Sequence, residues 1–308
     1  MDTMQLTAGD GKIIWLYRWL PVVAIRGVVL ISHGLSEHGQ RYERFAHDLC
    51  LAGFAVYAYD HRGHGAHAEQ RGWFADVGGW DKLQTDLDQV RCQVASLHPG
   101  VPLTLFGHSM GSFIARDYFL HHGADLSGLV LSATGYRQRA MARVMRFITR
   151  SWGRLVGMRE PSRFLTLLIF GGFNLTFRPR RTPADWLSRD PLEVDRYLAD
   201  PLCAFFPTPS LWVDLFGGVM QLERAEKQAR QLPFDCPVLL VAGSRDPVSL
   251  GKYGLNQLAR RYRDAGLCHI DMHVYRGGRH EMHNETNRTK VMRDLVDWLD
   301  HCASLKQT

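Results

Sequence analysis

The stretch "PLTLFGHSMGSF", residues 102–113, runs a short apolar segment into a serine flanked by glycines and then directly into a helix. Residues 102–106 have the composition of a buried strand. Residues 112–120 place Phe113, Ala115 and Phe119 among Arg116 and Asp117 at helical spacing. No residues remain between them for a loop. A serine on so sharp a turn is held in a strained backbone with its hydroxyl projecting, and Gly107 and Gly111 supply clearance on either side. The pattern is that of a nucleophile elbow. A serine hydroxyl is a poor nucleophile until a base takes its proton, and the base works best when a carboxylate orients it.

The rest of the chain narrows the search for those partners. Residues 4–8 and 12–19 flank Ala8-Gly9-Asp10-Gly11, a hairpin signal. Residues 27–32, 54–59, 128–132 and 237–242 are apolar almost throughout, a further strand is expected at 269–275, and helical segments at 42–51, 80–97 and 286–302 alternate with them. This rhythm predicts a mostly parallel sheet covered on both faces. In such a sheet, reactive residues occupy loops at the carboxyl ends of strands. Asp246 follows the strand at 237–242, and His280 follows the strand at 269–275. The order serine, acid, histidine is the one this type of elbow requires. Asp235 precedes its strand and Asp271 lies within one, so both are weaker candidates. His283 is a rival base three residues beyond His280. An oxyanion needs preset backbone N–H donors. Met110, next after the serine, supplies one, and Leu35 in the loop His33-Gly34-Leu35-Ser36 supplies the other.

The composition is that of a soluble globular protein: 45 % hydrophobic, 22 % charged, with a modest net charge of +6. The N-terminus carries an acid at position 2 and no basic-then-apolar run, so no signal peptide is expected. The segment 164–177 is apolar but too short for a membrane span. The six cysteines show no C-x-x-C pairing and read as free thiols in a reducing cytoplasm. The strand rhythm breaks from 136 to 225. Between Tyr136 and Arg181, Arg137, Arg139, Arg143, Arg146, Arg150, Arg154, Arg159, Arg163, Arg178, Arg180 and Arg181 stand against the single acid Glu160.

The stretches "HGLSEHGQRYERFAHDL", "GFAVYAYDHRGHG" and "GHSMGS" resemble the monoacylglycerol lipase and lysophospholipase group of α/β-hydrolases, which is also grouped with serine aminopeptidase-like hydrolases. The resemblance implies an α/β-hydrolase core at 1–135 and 226–308, with a helical cap at 136–225 lying over the serine. It implies Ser109, Asp246 and His280 as the triad, Leu35 and Met110 as oxyanion donors, and a cofactor-free esterase acting on lipid-like substrates. Glu37, Arg41, Asp60 and the loop His61-Arg62-Gly63-His64-Gly65 match positions that are mainly structural in the group. In the cap, Met141, Val144, Met145, Ile148, Trp152 and Leu155 recur at helical spacing, with Arg139, Arg143, Arg146, Arg150 and Arg154 on another stripe. Such a basic amphipathic helix fits peripheral contact with an anionic membrane. Phe205, Phe206 and Trp212 are candidate acyl-pocket residues.

Other readings are weaker. An aminopeptidase-like amide hydrolase would need acids beneath the cap, for which Asp185, Asp190, Glu193, Asp195 and Asp200 are candidates. His61, His64 and His67 lack the accompanying pattern of a metal site, so no metal is expected. Nothing interleaves aromatics with the basic segment as a nucleic-acid reader would. Carboxylate-nucleophile chemistry is excluded by Ser109 itself.

Overall fold

The computed structural model describes residues 1–136 and 139–305; Arg137 lies outside them. Eight strands form one sheet in the order β1-β2-β4-β3-β5-β6-β7-β8. β1 (Asp2–Thr7) and β2 (Ile13–Trp19) form the expected hairpin, and β2 runs antiparallel to β4 (Phe54–Tyr59). From β4 onward, β3 (Gly27–Ser32), β5 (Leu103–His108), β6 (Gly128–Ser132), β7 (Val238–Gly243) and β8 (Ile270–Tyr275) are parallel. β5 is therefore central, and the loops after β3, β5, β7 and β8 open on one edge of the sheet.

Strand periodicity explains why both faces are covered. In β3, Val28 and Leu30 join one core, while Val29 and Ile31 join the other. The first core is closed by α2 (Gly79–Leu97), α3 (Met110–His122) and α8 (Gly251–Asp264), and the second by α1 (Glu43–Leu51) and α9 (Arg288–Leu305). The sequence reading leaves α8 unassigned, although Leu255, Leu258, Ala259 and Tyr262 stand at i, i+3, i+4 and i+7 and all are buried.

Between β6 and β7 the chain forms α4 (Arg139–Val156), α5 (Arg163–Phe170), α6 (Pro191–Ala199) and α7 (Pro209–Gln228). Ser162, Asp190 and Thr208 cap the last three through their side-chain oxygens, and Pro191 and Pro209 open α6 and α7. Position 225 falls inside α7, which continues to Gln228.

The packing of α4 differs from its hydrophobic pattern. The face it buries carries the small residues Ala142, Thr149 and Gly153, and it lies against α7. A Cβ on Gly153 would stand 2.7 Å from that of Pro209. Small side chains let the two helices approach, so the apolar stripe turns sideways. Met145, Ile148 and Trp152 are half-buried, whereas Met141, Val144 and Leu155 are exposed together with Phe147. Arg146 also leaves the solvent stripe, its Nε donating to the Val213 carbonyl at 3.3 Å. Among the described residues no helix is long and apolar enough to cross a membrane.

Candidate active site

Ser109 sits between β5 and α3 with φ +50° and ψ −117°, a left-handed backbone that strains any residue with a side chain. The turn is pinned on both sides. Ser109 N–H donates to the Ser132 carbonyl at 2.9 Å, and its own carbonyl accepts from the Ser112 N–H at 2.9 Å and hydroxyl at 2.5 Å. The flanking glycines are required by space: a Cβ on Gly107 would lie 2.6 Å from the Gly111 carbonyl oxygen, and one on Gly111 would run into the carbonyl oxygens of Ser32 and His33.

Asp246 follows β7 and His280 follows β8, both buried. His280 Nδ1–H donates to Asp246 Oδ1 at 2.8 Å. The Asp246 carboxylate also accepts the backbone N–H of Val248 at 3.0 Å and of Ser249 at 3.2 Å, which fixes its plane. With Nδ1 engaged, Nε2 is the ring nitrogen left to handle a substrate's proton. His280 and Ser109 line one cavity of about 480 Å³. His283 is elsewhere: it stacks on Tyr42 at 4.9 Å, and burial pushes its pKa down to about 3.

Gly34 N–H donates to Glu37 Oε1 at 2.5 Å, which leaves the N–H of Leu35 as the donor that this loop can offer. Met110 opens α3, where backbone N–H groups lack intrahelical partners and the helix dipole favours negative charge. Leu35, Ser109 and Met110 line a second cavity of about 270 Å³. Both cavities share Leu35, Ser109, Phe170 and Val248, so they meet at the serine.

A feature that sequence patterning did not assign to the site joins two of its loops. Arg41 donates to Glu37 Oε2 at 2.7 Å and bidentately to Glu281 at 2.7 Å per bond. Glu37 holds the loop bearing Leu35, and Glu281 is the neighbour of His280. Burial alone would raise the Glu281 pKa, but the Arg41 guanidinium holds it well below the usual carboxylate range. The spacing of Glu37 and Arg41, four residues apart, was the signal available. Tyr42 completes the loop, donating its hydroxyl to Glu37 Oε1 at 2.9 Å.

The histidines after β3 and β4 are structural. His33 donates from Nδ1 to the Gly34 carbonyl at 2.7 Å and accepts the His61 N–H at Nε2 at 3.0 Å. His64 donates from Nδ1 to the Arg62 carbonyl at 2.9 Å and accepts the Ser36 N–H at 3.2 Å. A ring that donates at one nitrogen and accepts at the other is neutral, and burial pushes both rings down to about 3. His67 instead stacks on Trp15 at 3.6 Å.

The expected pocket residues separate. Phe205 and Phe206 line the larger cavity, whereas Trp212 lines the smaller one with Phe216, Leu215, Phe113 and Met141. The larger cavity places Asn174, Arg180, Thr182 and Tyr197 on an otherwise largely apolar wall. The five acids of the region from 185 to 200 line neither cavity. Asp185 accepts the Arg181 N–H at 2.6 Å, Asp190 caps α6 and pairs with Arg288, Glu193 pairs with Arg44 and Arg196, Asp195 with Arg181, and Asp200 with His38. A separate cavity of about 590 Å³, beside the β1–β2 hairpin, contains none of Ser109, Asp246 or His280.

Comparison with known proteins agrees with this geometry. The chain matches the family described as serine aminopeptidase, S33 over residues 24–287. It is 28 % identical over 297 residues to a monoacylglycerol lipase of Mycolicibacterium smegmatis, covering 95 % of each chain. It is 29 % identical over 298 residues to a monoglyceride lipase of Homo sapiens, covering 92 % of this chain and 85 % of that one. Among solved structures, a highly thermostable carboxyl esterase from Bacillus coagulans in complex with glycerol aligns with a TM-score of 0.87 at 29 % identity, over 98 % of both chains. A nucleophile-elbow serine on a mostly parallel sheet, together with these matches, places the chain in the serine aminopeptidase, S33 family of α/β-hydrolases, as a serine ester hydrolase.

Proposed function

We propose that the chain hydrolyses carboxylic esters of lipid-like alcohols, monoacylglycerols or lysophospholipids, through an acyl-enzyme. In this reading His280 Nε2 takes the proton of Ser109, whose Oγ attacks the ester carbonyl. Asp246 holds the imidazole tautomer, and the N–H groups of Leu35 and Met110 stabilise the oxyanion. His280 then returns the proton to the leaving alcohol, and water releases the acid by the same steps. Residues 136–225 act as the cap.

The observation that carries the proposal is the pair of cavities meeting at Ser109. The smaller one, walled by Trp212, Phe216, Phe113, Leu215 and Met141, suits an acyl chain; the larger, with Asn174, Arg180 and Thr182, suits an alcohol head group. The aminopeptidase-like alternative lacks support, because the acids that would hold a substrate amine are engaged elsewhere. A series of glycerol monoesters tests the proposal. Each buried methylene is worth about 0.8 kcal/mol, so kcat/KM should rise roughly fourfold per carbon over several carbons. A profile flat beyond four carbons, or activity confined to aminoacyl amides, would overturn it.

The outer face of the cap supports membrane contact. Met141, Val144, Phe147 and Leu155 of α4 and Phe164, Leu167 and Leu168 of α5 are exposed, alongside the exposed Arg143, Arg150 and Arg154. Basic residues near an anionic surface contribute about 1 kcal/mol each. Changing these three arginines to glutamine should therefore weaken binding to anionic vesicles roughly a hundredfold. Unchanged vesicle sedimentation would assign the face to solvent. The free state of all six cysteines supports the cytoplasmic reading.

A further inference from the structure

We infer that Arg180 makes this enzyme selective for acyl esters whose alcohol carries a phosphate group, with Asn174 reading a hydroxyl beside it. The inference rests on the proposed lipid-esterase reading and narrows it to one head-group class.

Arg180 is the one arginine, among the described residues, that lines the cavity containing Ser109 and His280. It is exposed and makes no ion pair or hydrogen bond among them. The acids on the same wall do not neutralise it. Glu37 and Glu281 are both committed to Arg41 at 2.7 Å, and Glu281 also accepts from Asn284 Nδ2 at 2.9 Å. Neighbouring Arg181 differs, being paired with Asp195 at 2.6 Å.

The backbone that follows Arg180 is fixed. Immediately after it, Asp185 accepts the N–H groups of Arg181 at 2.6 Å and Thr182 at 3.1 Å, and Asn174 Nδ2 donates to the Thr182 carbonyl at 2.7 Å. That last bond fixes which end of the Asn174 amide is oxygen. Its Oδ1 is buried without a partner, although Asn174 also lines the cavity. A buried acceptor of this kind is satisfied by a ligand hydroxyl. A guanidinium beside it matches phosphate bidentately, where a neutral glycerol would leave the charge unanswered. Phe177, just upstream of Arg180, carries Arg245 and Arg279 over its ring at 5.0 and 4.5 Å, which adds positive potential to the rim of the loop.

The test compares 1-octanoylglycerol with 1-octanoylglycerol 3-phosphate, the same ester with and without the phosphate, each kept below its aggregation concentration. The wild-type chain should favour the phosphate ester in kcat/KM. Charge-assisted hydrogen bonds set the scale, so Arg180→Gln should lower the phosphate-to-neutral ratio roughly tenfold to a hundredfold. Arg180→Lys should recover part of it. Arg260→Gln, on the exposed side of α8, should leave the ratio unchanged. A ratio insensitive to Arg180→Gln, with both esters hydrolysed, would overturn the inference and leave the lipid-esterase reading standing. Hydrolysis of neither ester would overturn that reading itself. Inorganic phosphate separates the possible sources of the anion: weak competition supports a head group, whereas competition at the same concentration as the phosphate ester would assign Arg180 to free phosphate and overturn the selectivity.

Discussion

Replacing Ser109 with alanine should lower kcat roughly a million-fold, the scale on which loss of an acyl-transfer nucleophile is felt, while thermal unfolding stays unchanged. Stability is expected to hold because serine and alanine both carry a Cβ, so the strain at φ +50° is the same in each. The bonds that pin the turn use the Ser109 backbone and the Ser112 side chain, and alanine keeps them. Ser109→Gly supplies a control for the backbone argument. It should be as inactive but more stable, because glycine adopts this conformation without strain. Asp246→Asn should lower kcat about ten-thousand-fold by misorienting the imidazole. Initial rates on a chromogenic ester, with scanning calorimetry on the same preparations, check all three variants. Retained turnover in Ser109→Ala would sink the assignment of the nucleophile.

Much of this geometry is legible in the sequence because it depends on local chemistry. Gly107 and Gly111 announce a turn that admits no side chain, and the loops after strands 237–242 and 269–275 leave few candidates for acid and base. What the sequence concealed depends on contacts between distant segments. β4 lies between β2 and β3, an order that hydrophobic runs do not encode. Ala142, Thr149 and Gly153 form the packed face of α4, and their small apolar area gives them little weight in any periodicity. The sequence pattern offers Phe205, Phe206 and Trp212 as one pocket, whereas the serine stands between two cavities that divide them. Arg41 stands at a position that the family resemblance gives as structural, but its bridge between the Leu35 and His280 loops needs residues 240 positions apart to meet.

Truncating Glu226 to alanine should destabilise the fold by about 3–5 kcal/mol, the range for stranding one member of a buried ion pair. Glu226 lies on α7, and Arg116 lies on α3, the helix that follows Ser109; both side chains are fully buried. Arg116 donates from Nε at 3.0 Å and Nη2 at 2.8 Å to the two carboxylate oxygens, and from Nη1 to Thr134 Oγ1 at 3.1 Å and the Gly135 carbonyl at 2.5 Å. The Tyr262 hydroxyl donates to the same carboxylate at 3.2 Å. Four of the guanidinium's five N–H donors are thus answered, and removing Glu226 leaves a cation that water cannot reach. Replacing both partners, as Arg116→Met with Glu226→Leu, removes the charges together and should recover most of the loss, since matched apolar side chains avoid the desolvation penalty. Urea unfolding of Arg116→Met, Glu226→Leu and the double variant gives the coupling energy. Additive losses, or a Glu226→Ala effect below about 1 kcal/mol, would refute the pairing, because surface ion pairs are worth no more than that. The cycle also bears on function. The pair fastens α7, which carries Trp212 and Phe216, to the helix that follows Ser109, so kcat/KM for long-chain esters should fall in Glu226→Ala and return in the double variant.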